Sequence, residues 1–276
     1  MKIWGVSMVR NEEDIVEAFV RHNLTILDGM LVVDHNSTDR TPAILTALCA
    51  ERLPLVVKRH GAPGYLQAEI TTSAAREVFA RTPADFVFPL DADEFLKVGS
   101  RAELERYLGS LPPDVHPRFD WPTYAPPFDG ISRHVVACAR AARRLTGRAG
   151  GMGKIAVARS FAAIPGAYIG EGNHEAYVGN KPQTAGRLPM VRAPAAFCVA
   201  HLPVRSVVHH TEKFGVRRLA CIAGGRDYPT DSNFYQAYAG LRAGREPTPD
   251  DMLRPYVDGF FALKDAPPPT SSPTVD

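Results

Sequence analysis

Strand and helix patterns alternate through the first hundred residues, and this alternation limits the possible folds more than any other feature of the sequence. Short apolar runs at residues 3–9, 31–33, 53–57 and 86–90 predict four strands. The stretches between them repeat apolar residues at helical spacing, as Ile15, Phe19 and Val20 do after the first run. Strands separated by helices pair into a parallel sheet with helices on its faces. We therefore predict an α/β fold with a mostly parallel central sheet.

Polar residues at the segment boundaries predict where the helices begin. Asn11 is a candidate N-cap for the first helix, and Thr41 precedes Pro42 as the N-cap of the second. Ser100 with Glu103 forms a capping box for a later helix. Beyond residue 110 the pattern predicts strands at 154–160 and 197–200, a helix at 206–222 and a flexible tail at 266–276. We predict one domain over residues 1–265, with two halves that meet at residue 110.

Composition and charge exclude several classes of protein. The chain has 276 residues, of which 45% are hydrophobic, and this suits a globular protein with a sizeable core. Its 32 Lys and Arg against 30 Asp and Glu give a net charge of +2, so no nucleic-acid partner is expected. No apolar run approaches the ~18 residues of a membrane span, and we predict a cytoplasmic protein without a transmembrane segment. The scattered Cys49, Cys138, Cys198 and Cys221 are expected to be reduced thiols.

The sharpest chemical signal is the pair of carboxylates at Asp91 and Asp93, directly after the fourth predicted strand. Such a pair can bind a hard divalent ion and a ribose hydroxyl, although acidic pairs on solvated loops are also common. Two further polar segments, at residues 9–13 and 34–41, follow the first and second strands. Because ligands bind at the carboxyl edge of a parallel sheet, all three segments are predicted to meet there. A loop with a helix cap would explain Thr41 but not Asp34.

These segments read R-N-E at residues 10–12, D-H-N-S-T-D-R-T at 34–41 and D-A-D-E-F at 91–95. Their order and spacing resemble the cytosolic bacterial branch of the family 2 glycosyltransferases, and the match covers roughly the first hundred residues. The resemblance implies a GT-A type fold. It also implies transfer of a sugar from a nucleotide-diphosphate donor to a hydroxyl of a carbohydrate or other acceptor, with inversion. Residues 1–110 would bind the nucleotide sugar, and residues 111–265 the acceptor.

The resemblance further implies roles for individual residues. The pocket for the nucleotide would be lined by Val9, Arg10, Asn11, Glu12 and Asp34. Asp93 would bind a manganese or magnesium ion, and Asp91 would lie near both the ribose and the metal. A divalent cation suits the reaction because it neutralises the diphosphate that leaves. The sequence departs from the commonest family pattern at His35, where a second acidic residue is usual.

A weaker resemblance to the same branch lies in the second half, where His201, Arg205 and Ser206 form an H-x-x-x-R-S segment. The resemblance implies that His201 completes an Asp and His ligand set for the metal, a set that suits manganese. A histidine hydrogen-bonded within the fold is the alternative.

An inverting transferase needs a base that takes the proton of the acceptor hydroxyl. Residues 171–177 hold a compact acidic and imidazole cluster between two apolar runs. Glu175 is our first candidate for the base and His174 the second. Glu94 is a further candidate, although a supporting position beside the metal suits it better. An exposed loop without catalytic function would also explain the cluster.

Residues 131–170 contain no Asp or Glu but seven basic residues. They are Arg133, Arg140, Arg143, Arg144, Arg148, Lys154 and Arg159. A solvated face is the ordinary interpretation of such a stretch. The functional interpretation is that it binds the donor phosphates, with Lys154 among the nucleotide-binding residues, or an anionic acceptor. Glycines at 147, 150, 151 and 153 would let the stretch act as a mobile lid.

We therefore predict a metal-dependent glycosyltransferase. A sugar nucleotidyltransferase is an alternative, although those enzymes open with a glycine-rich loop after the first strand and residues 8–12 contain no glycine. A binding module that keeps the nucleotide pocket without turnover is another. The donor base and sugar, the acceptor and the oligomeric state are not predicted.

Overall fold

The computed structural model describes residues 1–125, 143–146, 153–179, 186–205, 207–223, 225, 239–240, 242–245, 252 and 274–275. The chain divides into two compact units. The first comprises Met1–Ala62, Leu66–Trp121 and Met152–Ala200, and the second comprises Pro63–Tyr65, Pro122–Gly151 and His201–Asp276. The single domain over 1–265, its halves and the flexible tail at 266–276 remain predictions.

The strands are as follows, in chain order. They are β1 (Ile3–Val9), β2 (Gly29–Asp34), β3 (Leu55–Arg59), β4 (Phe86–Pro89), β5 (Glu94–Lys97), β6 (His116–Asp120), β7 (Tyr124–Ala125), β8 (Arg143–Thr146), β9 (Gly153–Ile155), β10 (Val157–Ala158), β11 (Ala167–Ile169), β12 (Ala176–Val178), β13 (Gly186–Arg187), β14 (Met190–Arg192), β15 (Cys198–His201) and β16 (Thr274–Val275). The helices are α1 (Val16–Asn23), α2 (Thr41–Ala50), α3 (Gln67–Arg81), α4 (Arg101–Gly109), α5 (Ser160–Ala163) and α6 (Val207–Ala223). The described residues also include a 3₁₀ turn at Glu171–Asn173.

The central sheet of the first unit has the strand order β10-β4-β1-β2-β3. Pairing is parallel between β4 and β1, β1 and β2, and β2 and β3, whereas β10 runs antiparallel at the β4 edge. A second sheet has β6 between β14 and β15, both parallel to it, with β9 antiparallel alongside. The predicted α/β architecture with a mostly parallel central sheet flanked by helices is confirmed.

One hydrophobic core of the first unit lies between the central sheet and α3. Val6 and Val87 from the sheet meet Ile70, Ala74 and Val78 from α3, all at most 5% exposed. Parallel strands buried in this way are expected to be continuous apolar runs, which is the pattern that predicted them. The helix that carries this face, α3, begins at Gln67, and its first residue therefore sits beside the carboxyl edge of the sheet.

Two of the predicted helix starts are wrong. The first helix begins at Val16 with Ile15 as its N-cap, because Asn11 has a left-handed φ of 52° and lies in a separate turn. The second begins at Thr41 with Arg40 as its N-cap. The capping box at the start of α4 is confirmed at its N-cap, where Ser100 Oγ accepts a hydrogen bond from Glu103 N at 3.2 Å.

The three-stranded antiparallel sheet of the first unit has the order β11-β12-β13. In the second unit, β8 pairs antiparallel with β7 and with β16. No helix within the described residues is long and apolar enough to cross a bilayer. Cys49, Cys198 and Cys221 carry free thiols, and Cys138 lies outside the described residues.

Candidate active site

The carboxyl ends of β1, β2 and β3 lie side by side. Val9 is in register with Asp34, and Asp34 is in register with Arg59. His35 N donates a hydrogen bond to Val9 O at 2.9 Å, so the pairing continues to the ends of the strands. The neighbouring strand β4 pairs with β1 as far as Pro89, two residues before Asp91. The polar segments predicted to share one sheet edge therefore leave strands that are adjacent in that sheet.

The loop after β1 is tied to the loop after β2. Asn11 N donates to Ser37 Oγ at 3.0 Å, and Thr38 N donates to Asn11 Oδ1 at 2.8 Å. Glu12 N donates to Thr41 Oγ1 at 2.8 Å. The left-handed φ of Asn11 is a conformation that asparagine adopts more readily than most residues. The two loops predicted to bind the nucleotide are thus joined by hydrogen bonds.

Asp34 presents a rigid carboxylate at this edge. It is 1% exposed, its Oδ1 accepts from Ser37 N at 3.3 Å, and its Oδ2 lies 3.5 Å from Arg59 Nε. These two contacts hold the Asp34 side chain between the loop after β2 and the end of β3.

His35 occupies the position where the sequence departs from the family pattern. Its Nε2 lies 2.9 Å from Ala62 O, and because a carbonyl only accepts, this nitrogen carries the proton. The ring also lies edge-on to His60 with 5.5 Å between centroids. Burial lowers the pKa of His35, and the nearby Arg10 and His60 lower it further. His35 is thus held as a neutral, hydrogen-bonded ring.

Glu94 is fully buried and uses both carboxylate oxygens to hold the turn that follows β4. Its Oε2 accepts from Asp91 N at 3.0 Å, and its Oε1 accepts from Trp121 Nε1 at 2.8 Å. Lys154 Nζ lies 2.5 Å from the same Oε1. Asn23 Nδ2 donates to Glu94 O at 3.0 Å, which fixes the turn to the end of α1. These contacts assign Glu94 to holding the turn together.

Asp91 lies at the centre of a larger network. Its Oδ1 accepts from Gln67 Nε2 at 2.6 Å and from Asn173 Nδ2 at 3.0 Å, and its Oδ2 pairs with Lys154 Nζ at 2.9 Å. The side chain remains 29% exposed. Asp91 is therefore oriented by donors from α3, from the turn after β11 and from β9.

Lys154 is a buried cation in the midst of this network. Its side chain is 1% exposed, and its Nζ lies 2.9 Å from Asp91 Oδ2, 2.5 Å from Glu94 Oε1 and 2.6 Å from Gly172 O. The ammonium also lies 4.7 Å from the centroid of the Trp121 ring. An ammonium has three N–H donors, and three oxygens surround this one. Lys154, predicted to bind the nucleotide, points its charge at protein oxygens.

The charges in this cluster alter one another's pKa values. Complete burial raises the pKa of Glu94, and the Asp91 and Asp93 carboxylates raise it too, whereas the Lys154 ammonium, 2.5 Å from Oε1, lowers it. Burial disfavours the charge on Lys154, but the Asp91 and Glu94 carboxylates outweigh it and raise the pKa of this ammonium. Lys154 is therefore a stable positive charge at neutral pH.

The turn at 171–174 packs against the same cluster. Gly172 has a φ of 75°, its N donates to Gln67 Oε1 at 2.8 Å, and a Cβ there would lie 2.7 Å from His174 Nε2. Only glycine fits both the backbone and the space. His174 Nδ1 lies 2.8 Å from Gly153 O, and its ring is edge-on to Trp121 at 5.0 Å. His174 is thereby fixed in position and orientation.

Glu175, the first candidate for the base, pairs with side chains on β12 and β13. Its Oε2 accepts from Tyr177 OH at 2.5 Å and lies 3.2 Å from Arg187 Nε, and the side chain is 15% exposed. Burial raises the pKa of Tyr177 to about 12, and the Glu175 carboxylate adds to the shift. Glu175 therefore has an ion pair and a hydroxyl on one of its oxygens.

The structure brings three predicted residues, Asp91, Glu94 and Lys154, into direct contact. Sequence reasoning missed three of their partners, Gln67, Trp121 and Asn173. Gln67 is 24 residues and Asn173 is 82 residues from Asp91 in the chain, and no local pattern marks either as a partner. The glycines at 170 and 172 are the sequence signal that the backbone comes close here, since a Cβ at either position would lie within 3 Å of a neighbouring side chain.

Two predicted metal ligands lie in different units, and their roles remain predictions. Asp93 belongs to the first unit and is 2% exposed. His201 belongs to the second unit and is 4% exposed, and its N donates to Pro122 O at 2.9 Å.

The basic stretch is only partly described. Arg133, Arg140, Arg148 and the glycines at 147, 150 and 151 lie outside the described residues, and Arg143 and Arg144 are described in their backbone alone. Arg159 donates to the carbonyls of Phe79 and Thr82, at 3.2 and 2.7 Å, and so caps the end of α3. Phosphate binding and a lid remain predictions for the rest of the stretch.

No protein-family model and no curated protein sequence matches this chain. Among solved structures, S. aureus TarS 1-349 in complex with UDP-GlcNAc aligns at 12% identity and a TM-score of 0.45, over 91% of this chain and 75% of that one. The mannosyltransferase PcManGT from Pyrobaculum calidifontis, in complex with GDP-Man and Mn2+, aligns at 13% and 0.43, over 87% and 69%. Glucosyl-3-phosphoglycerate synthase from Mycobacterium tuberculosis, in complex with Mn2+, UDP and glucosyl-3-phosphoglycerate, aligns at 16% and 0.33, over 58% and 57%. Each TM-score is below 0.5.

Proposed function

We propose that this protein is a metal-dependent glycosyltransferase of the GT-A type and of family 2, which moves a sugar from a nucleotide-diphosphate donor to an acceptor hydroxyl with inversion. One observation carries the proposal. The carboxyl ends of adjacent parallel strands present the tied loops at 9–13 and 34–41 and the acidic turn at 91–94 along one sheet edge. Such an edge is where α/β sheets bind nucleotides.

The residues of the acidic turn fit a divalent cation. Asp91, Asp93 and Glu94 place three carboxylates within four residues, and the ammonium of Lys154 contacts two of them, Asp91 and Glu94. Carboxylate oxygens are the ligands that manganese and magnesium prefer. We assign Asp93 as the main ligand, with Asp91 and His201 as further ligands. A bound cation would neutralise the diphosphate leaving group.

The nucleotide is assigned to the tied loops, through Val9, Arg10, Asn11, Glu12 and Asp34. Support comes from the buried carboxyl group of Asp34 at the end of β2, whose Oδ1 accepts from Ser37 N. The hydrogen bonds that join the two loops would hold this pocket in shape before the donor arrives. A preformed pocket lowers the ordering cost of binding.

The base is assigned to the 171–175 segment. His174 Nδ1 donates to Gly153 O, so in the neutral ring Nε2 is the nitrogen that takes a proton. Glu175 is the other candidate, although Tyr177 and Arg187 share its Oε2. Glu94 is the least suited, since its oxygens already accept from Asp91 N, Trp121 and Lys154.

A thermal-shift experiment tests the proposal. UDP, GDP, CDP and TDP are each added with and without Mn²⁺, and a nucleotide at 100 times its dissociation constant should stabilise the folded protein by roughly 2.7 kcal/mol. Asp93→Asn should abolish the part of the shift that needs manganese. Glu51→Gln, which breaks an exposed ion pair with Arg21, is the control and should keep it. No manganese-dependent shift with any nucleotide would reject the proposal.

Turnover separates the enzyme from its alternatives. A glycosyltransferase releases a nucleoside diphosphate from a donor sugar, whereas a nucleotidyltransferase releases pyrophosphate from a nucleoside triphosphate. A binding module would show the thermal shift and release neither product.

A further inference from the structure

Two turns of the first unit meet around the ammonium of Lys154. The first, the 91–94 turn, carries the proposed metal ligand Asp93. The second, the 171–174 turn, carries His174. Lys154 Nζ contacts Asp91 Oδ2 and Glu94 Oε1 in the first turn and Gly172 O in the second, at 2.5 to 2.9 Å.

Other contacts join the same turns, but they differ in kind. Gln67 bridges them with its amide, from Gly172 N to Asp91 Oδ1, and Asn173 Nδ2 donates to Asp91 Oδ1 directly. In each of these bonds the donor is an uncharged amide. The ammonium of Lys154 is instead a charged donor, so its bond to Gly172 O is charge-assisted, and in its contacts with Asp91 Oδ2 and Glu94 Oε1 both partners carry charge. It is also the group that compensates the buried carboxylate of Glu94.

Lys154 itself is held so that it can act as a fixed link. Its residue on β9 is in register with Phe119 of β6, and its side chain lies over Trp121, whose indole also donates to Glu94. The neighbouring Gly153 supplies the carbonyl that accepts from His174. The short strand β9 therefore supports the 91–94 turn through Lys154 and the His174 ring through Gly153.

We propose that Lys154 is a positioning residue, which fixes the 171–174 turn against the 91–94 turn and so sets His174 relative to Asp93. The inference relies on the proposed function only for its consequence in catalysis. The mechanical link between the two turns stands on the contacts alone.

Hydrogen exchange of the protein without metal or nucleotide tests the link. Lys154→Met keeps a long unbranched side chain and removes the ammonium. We expect amides in peptides covering residues 170–176 to exchange at least tenfold faster, because a charge-assisted bond to Gly172 O is lost. Peptides of β1 and β2 should change far less. Lys58→Met, which removes the ammonium of an exposed pair with Glu77, is the matched control and should leave residues 170–176 unchanged.

A second variant separates positioning from general stability. Lys154→Met leaves the buried Glu94 carboxylate uncompensated, and this alone destabilises a fold. Glu94→Gln added to Lys154→Met removes that charge and should restore much of the thermal stability. Fast exchange at residues 170–176 should persist in the double variant. Wild-type exchange there in Lys154→Met, or exchange accelerated equally across the whole first unit in both variants, would overturn the proposal.

Donor turnover supplies a readout that distinguishes the two proposals. If wild-type protein binds a nucleotide with manganese, Lys154→Met/Glu94→Gln should lower kcat more than it raises the KM for the donor, with both changes measured against Glu94→Gln alone. An equal loss in both would place Lys154 in donor binding instead. If wild-type protein binds no nucleotide, the proposed function fails, and the exchange result still decides the role of Lys154.

Discussion

The tautomer of His174 is set by a backbone carbonyl. Gly153 O accepts from Nδ1 at 2.8 Å, and the edge-on contact with Trp121 fixes the plane of the ring. In the neutral ring, Nε2 is then the nitrogen that accepts a proton. The carboxylate of Glu175, one residue further, is instead shared with Tyr177 and Arg187.

We therefore predict that His174 and Glu175 respond differently to substitution. His174→Gln should lower kcat by roughly 10²- to 10⁴-fold, the usual contribution of a general base. Glu175→Gln keeps the shape of the side chain and should lower kcat by less than about 10-fold, because it loses only contacts to Tyr177 and Arg187. Steady-state kinetics with a saturating donor measure both. The reverse order of the two losses would assign the base to Glu175.

The same residues show what the sequence could and could not predict about the site. Asp91, Glu94 and the 171–175 cluster stand out because carboxylates, glycine and histidine directly follow apolar runs. The role of Lys154 could not be read, because a basic residue in an acid-free stretch suggests phosphate, and its partner Asp91 is 63 residues away. The pairing depends on β9 lying beside β6, which is a tertiary fact.

Among the elements, the helix starts were harder to predict than the strands. The strands of the central sheet are buried, and buried parallel strands consist of continuous apolar residues that are easy to recognise in a sequence. Asn11 is a residue type that often caps helices, but here it joins two loops. Its N donates to Ser37 Oγ, 26 residues away, and its Oδ1 accepts from Thr38 N, 27 residues away. Thr41, predicted as a cap, accepts from Glu12 instead. Local sequence preference therefore predicted correctly that polar residues hydrogen-bond at these positions. It did not predict that their partners lie in the other loop.

The link between the loop after β1 and the start of α2 gives a stability prediction. Thr41 is fully buried, and Thr41→Val removes the acceptor for Glu12 N while keeping the shape of the side chain. We expect a loss of about 1–2 kcal/mol in the free energy of unfolding, because the donor is left without its partner. Urea denaturation at neutral pH measures it.

Thr46→Val in the same helix is the control. Thr46 is exposed, and its Oγ1 donates to Pro42 O at 2.8 Å, a bond that water can replace. Its loss should stay below about 0.5 kcal/mol. Equal losses in the two variants would show that the contact with Glu12 adds no stability.

At the scale of the whole molecule, the near-neutral charge of +2 conceals strong local imbalances. The 91–94 turn concentrates carboxylates beside the buried ammonium of Lys154. Elsewhere in the first unit, His116 is fully buried where β6 meets β10, and its Nδ1 accepts from Ala158 N at 3.0 Å. Burial lowers the pKa of His116 from 6.5 to about 4.

This shift makes the stability of the protein depend on pH in a defined window. Between pH 6.5 and about 4 the unfolded chain binds a proton at His116 and the folded chain does not, so stability falls as the pH falls. The contribution of His116 to stability is complete above pH 6.5 and decreases by roughly 1.4 kcal/mol per pH unit below it.

His116→Asn keeps an acceptor that can face Ala158 N and removes the titration. Between pH 7 and pH 4.5 the wild-type protein should therefore lose about 2–3 kcal/mol more than the variant in urea unfolding. Other titrating groups are common to both proteins and cancel in this difference. If the difference in unfolding free energy between the wild-type protein and His116→Asn stays constant from pH 7 to pH 4.5, His116 does not remain neutral in the folded state.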